Sequence, residues 1–132
     1  MLRIVDKILN WIYRGRRAPL PVVASLDNVE QALKQVTYQL DCIDWTRQPE
    51  LTWGLKQGDC EDFALLSQAL LKQIKVESQI MKIYTNPLKY SHAVCVCRLG
   101  YFSNANFRPG NFTFDEIARR VAGNRLKSWR VI

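Results

Sequence analysis

Only one histidine, His92, and four cysteines, Cys42, Cys60, Cys95 and Cys97, occur in 132 residues. A single imidazole rules out a His-x-x-x-His arm, and no Cys-x-x-Cys pair stands beside it, so the zinc-finger pattern is absent. There is no glycine-rich loop of the kind that cradles phosphate. With six glycines and five prolines and no repeat, a collagen-like or low-complexity chain is excluded. No apolar run approaches the ~20 residues of a membrane-spanning helix. The opening Met-Leu-Arg-Ile-Val-Asp-Lys carries charge where a secretory signal would place its apolar stretch. The expectation is therefore a cytoplasmic protein with reduced thiols, since the cysteines are also too sparse for an exported disulfide scaffold.

What is present is ordinary globular usage: 48% apolar, 23% charged and 11% aromatic residues, in a length that suits a single domain spanning 1–132. The net charge of +7 sits at the ends, with +4 in residues 1–17, −2 in 18–116 and +5 in 117–132. Basic ends can steer nucleic acid or an acidic protein toward the chain. More often, residues such as Arg14, Arg16 and Arg17 simply solvate a helix end and a linker.

Helical spacing of Ile4, Ile8, Trp11 and Ile12 predicts an amphipathic helix over residues 3–14. A membrane-surface or partner-docking helix would look similar, but the expected packing is apolar face down on the domain. Prolines 19 and 21 break the pattern. A second helix is predicted from Asp27, with Asp27 and Glu30 spaced as a capping box, through Ala32, Leu33, Val36, Tyr38 and Leu40. Residues 41–58 read as irregular, with Trp45 and Trp53 pinned on a core or cleft. A third, largely buried helix starts at a cap on Asp59 and carries Phe63, Leu66, Leu70 and Ile74. Strands follow over 76–84, 93–99 and 101–104, then a loop over 105–112. A short helix capped by Thr113 and an edge strand over 126–132 complete the chain.

The residues that could carry chemistry lie between positions 53 and 106. Cys60 follows Gly58 and Asp59 at a helix start, where unpaired amides and the helix dipole favour thiolate. His92 enters a strand and could take the thiol proton if the sheet packs on that helix. Asn104 at the end of the next strand could hold the second imidazole nitrogen, with Ser103 or Asn106 as the counterpart under a different register. The Cys60 amide is one oxyanion donor, and Trp53 or Gln57 could supply another. A zinc site of His92, Cys95, Cys97 and Cys42 or Cys60 is the competing arrangement. Strand alternation opposes it, turning His92 away from the face that Cys95 and Cys97 share.

Gly58-Asp59-Cys60-Glu61-Asp62-Phe63-Ala64-Leu65-Leu66, then Ala69-Leu70-Leu71 and Ser91-His92-Ala93-Val94, resembles the core of the transglutaminase-like superfamily, especially its small bacterial and phage cysteine peptidases. The resemblance spans residues 45–106. It implies an α+β, papain-like fold, with the Cys60 helix packed on an antiparallel sheet of three or four strands. It implies a nucleophile at Cys60, a general base at His92 and a third member at the end of residues 101–104, where the family commonly has aspartate and this chain has Asn104. The implied function is thiol-dependent acyl transfer on a peptide or protein amide, without a cofactor. The alternative is an inactive module of the same fold, virion-associated if phage-encoded, contacting nucleic acid or an acidic protein through its basic termini.

Overall fold

In the computed structural model, which describes residues 3–40 and 44–132, the chain runs through α1 (Ile4–Ile12), α2 (Leu26–Leu33), β1 (Thr37–Tyr38), α3 (Pro49–Leu55), β2 (Gln57–Gly58) and α4 (Cys60–Gln73). It continues through β3 (Ser78–Thr85), β4 (His92–Cys97), β5 (Gly100–Ser103), β6 (Asn106–Pro109), α5 (Phe114–Ala122) and β7 (Leu126–Val131). Cys42 lies outside the described residues.

The α4 helix begins where the sequence predicts. Asp59 is extended and accepts the Asp62 amide at 3.1 Å, while Asp62 accepts the Asp59 amide at 3.0 Å, closing a reciprocal capping box. Its buried Phe63, Ala64, Leu66, Leu70 and Leu71 pack between Val29, Ala32 and Leu33 of α2 and one face of the sheet, at Ala93, Cys95 and Phe102. The opposite face, with Met81, Ile83, Val94 and Tyr101, is covered by Ile117 and Ala118 of α5. Burial on both sides explains why β4 reads as a nearly unbroken apolar run. The fold is α+β, with strand order β6-β5-β4-β3-β7 and antiparallel pairing throughout that sheet.

Several expectations are corrected. The sheet has five strands, because residues 106–109, expected as loop, return from a tight turn at Asn104 and Ala105 to pair with β5, setting the Phe107 ring at a tilt against Phe102 with centroids 4.7 Å apart. The cap of α2 is Ser25, whose hydroxyl accepts the Asn28 amide, and the helix ends at Leu33 rather than near residue 40. Thr37 and Tyr38 instead leave to pair in parallel with Gln57 and Gly58, the Thr37 and Gln39 amides bonding Lys56 and Gly58 carbonyls. Residues 49–55 form a helix in the segment read as irregular. Pro49 stands in its first turn, where a missing amide costs nothing.

The largest departure is α1. Four of its six apolar residues point outward, Ile4 76% exposed, Ile8 53%, Trp11 63% and Ile12 54%, while Val5 and Leu9 are half-buried. The side chains facing the domain are Asp6 and Asn10. Asp6 accepts the Thr46 and Arg3 amides, each at 2.7 Å. Asn10 donates to the Thr46 carbonyl at 2.9 Å and accepts the Gln48 amide at 2.8 Å. The helix is held by its polar stripe because residues 44–48, an extended segment with backbone groups to satisfy, lie beneath it. No helix among the described residues is long and apolar enough to cross a membrane.

Candidate active site

Cys60 is the first residue of α4, and its half-buried thiol lies near the Ala93 backbone amide at the start of β4. Ala93 follows His92, and strand alternation puts the two side chains on opposite faces, Ala93 on the α4 side and His92, with its partner Ile83, on the α5 side. This approach depends on the segment before the helix. A Cβ on Gly58 would lie 2.6 Å from Asp62 Cβ, so the chain can turn this closely into α4 only with glycine there.

His92 is the first residue of β4, and its Nε2 lies 2.9 Å from Ser103 Oγ at the end of β5. With the serine accepting, Nε2 carries the proton and Nδ1 keeps its lone pair, the form a general base needs. Ser103 therefore occupies the position for which Asn104 was the first expectation. Asn104 sits in the β5–β6 turn at φ 51°, a left-handed conformation that asparagine tolerates, and its buried Oδ1 has no hydrogen-bond partner among the described residues. Asn106 is paired with Ser103 across that turn. One residue along a strand reverses the face, so a single step in register decides which side chain meets the imidazole.

Burial pushes the Cys60 thiol up, to about 11, with the Asp59 and Glu61 carboxylates adding to the rise and the Ala93 and Glu61 amides opposing it. Burial also lowers the His92 pKa below its ordinary 6.5. The resting groups are thus a neutral thiol and a neutral imidazole, not the dipole-stabilised thiolate expected from the helix start. Burial is the largest cause of the rise at Cys60.

The two acids after Cys60 are turned to structural partners. Glu61 accepts the Thr46 hydroxyl at 3.0 Å and pairs with Lys82 at 3.2 Å. Asp62 is fully buried, 2.6 Å from the equally buried Arg47 guanidinium, and accepts the Arg47 amide at 2.7 Å. Burial pushes the Asp62 carboxyl up, to about 7, with Asp59 adding and Arg47 opposing. Arg47 also covers the buried Trp45 ring, which stacks on Tyr13. Neither the Arg47 pair nor the Lys82 contact was legible beforehand, because a lone arginine in a loop carries no mark of its partner.

Of the two side chains expected to complete an oxyanion site, Trp53 packs against the α4 core with the Lys56 ammonium over its ring. Gln57 lies in β2, opposite Thr37. The Cys60 and Glu61 amides, in the first turn of α4 where helical partners are lacking, are donors at the sulfur's own helix end. Cys60, Cys95 and Cys97 are free thiols. Among the described residues no group of three or more histidine, cysteine, aspartate or glutamate side chains could hold a metal ion. Neither a family model nor a curated protein matches the chain.

Proposed function

We propose that the protein is a transglutaminase-like cysteine peptidase or amidase of papain-like architecture, using Cys60 as nucleophile and His92 as general base. The observation that carries this reading is that α4, with Cys60 in its first turn, packs on the sheet whose strand β4 opens with His92, an imidazole 2.9 Å from the Ser103 hydroxyl; reaching the thiol requires the start of β4 to turn that side chain toward the α4 face. In this reaction Nδ1 of His92 takes the thiol proton as sulfur attacks the substrate carbonyl. The amides of the first α4 turn receive the negative oxygen, and the imidazolium returns the proton to the departing amine. Water, deprotonated by the same imidazole, then cleaves the thioester and restores the thiol. An amine in place of water would give transfer instead. Ser103 is a positioning residue, neutral like the asparagine beside it, and stabilises an imidazolium less than aspartate would.

The raised Cys60 pKa favours a second reading, a module that keeps this fold for binding only. Iodoacetamide alkylation against pH, mapped by peptide mass in wild type and His92→Ala, separates the two. Under the first reading Cys60 outpaces Cys95 and Cys97 at neutral pH, with an inflection below 6.5 that vanishes in the variant. A Cys60 rate that simply rises toward about 11 in both proteins transfers the lead to the binding module.

A further inference from the structure

We propose that α1 docks the protein on an anionic membrane surface, lying in the interface with Ile4, Ile8, Trp11 and Ile12 in the lipid. Three observations converge on it. The four apolar side chains form one stripe on a nine-residue helix, all more than half exposed. The stripe is held outward by design of the opposite face, since Asp6 and Asn10 are 2% and 6% exposed and fully engaged with residues 44–48. The charge that residues 1–17 themselves expose has one sign. Asp6, the only acid in residues 1–17, is buried, whereas Lys7, Arg14 and Arg16 surround the apolar face and carry no salt bridge among the described residues.

Arg3 and Arg17 are partly neutralised by Asp44 and Glu50. The remaining positive rim repels a second copy of the same surface and attracts anionic headgroups. Arg14 stacks on Trp11 at 4.0 Å from the ring centroid, an amphipathic pair suited to the boundary between headgroups and acyl chains. A helix of nine residues spans about 13 Å, enough to lie along the interface and too short to cross it. Because the helix is already anchored, docking needs no folding step and presents the same face each time.

The test is co-sedimentation of the intact protein with phosphatidylcholine vesicles, with and without phosphatidylglycerol, at low and at physiological salt. Wild type is expected to bind the anionic vesicles, less as salt rises, with no gain in helix by circular dichroism. Ile8→Glu and Trp11→Glu, both at exposed positions, should each weaken binding about tenfold or more while keeping the wild-type Tm. Absence of binding, equal binding to neutral vesicles, or undiminished binding by both variants overturns the proposal. A concentration-dependent dimer that Ile8→Glu dissociates, without vesicle binding, also overturns it and assigns the face to a second copy.

Discussion

Helices α1 and α4 have comparable apolar spacing in the sequence and are packed in opposite senses. The apolar side of α4 fills the space between α2 and the sheet, and its first turn is held by the Asp59–Asp62 box and the Arg47 ion pair. The side of α1 that faces the domain is polar, and its apolar side is left to solvent. Amphipathicity thus fixes a helix and the phase of its stripe, but not which stripe turns inward. The neighbour decides, a sheet face in one case and an extended backbone segment in the other.

The comparison can be broken most severely at the ion pair under α4. Asp62→Ala leaves the Arg47 guanidinium buried without its carboxylate and should cost about 3–5 kcal/mol in urea unfolding. Replacing both side chains with apolar residues should recover only part of that loss, because the desolvation penalty goes with the charges while the Arg47 and Asp59 amides still lose their acceptor. Truncation of the two apolar stripes gives the next contrast. Leu66→Ala, fully buried, should cost about 2–5 kcal/mol. Ile8→Ala on α1 should stay within roughly 0.5 kcal/mol.

An effect between those two is expected at the polar anchor. Asn10→Ala abandons the Thr46 carbonyl and Gln48 amide and should cost about 1–3 kcal/mol. The anchor also has a pH signature. Burial alone would raise the Asp6 carboxyl, but the Thr46 and Arg3 amides and the Arg3 guanidinium outweigh it and hold the pKa below the ordinary 3.8. The folded value is the lower one, so the stabilisation is complete above 3.8 and is lost as pH falls through the folded value. Hydrogen exchange of the α1 amides should report release in that acid range, and Asp6→Asn should weaken the pH dependence.

Elements whose signals are local were legible. The capping boxes at Asp59 and Thr113 start α4 and α5 where expected, and the alternating or apolar runs become β3, β4 and β7. The α2 cap was misplaced by two residues because Ser25 and Asp27 are both competent caps, and the geometry of residue 28 chose between them. β6 and α3 were missed because each is short and contains proline. A turn at Asn104 and packing against residues 16–18 stabilise them instead, the latter so close that a Cβ on Gly54 would strike the Arg16 carbonyl.

The sequence by itself determined the helix that presents Cys60, the strand that begins at His92 and the basic ends, because caps, periods and charge counts are properties of neighbouring residues. Tertiary structure decided that Ser103 rather than Asn104 meets His92, that burial pushes the Cys60 thiol up, and that the apolar stripe of α1 faces outward. Each of those outcomes depends on which surfaces are brought together, and desolvation and hydrogen-bond satisfaction exist only once they are.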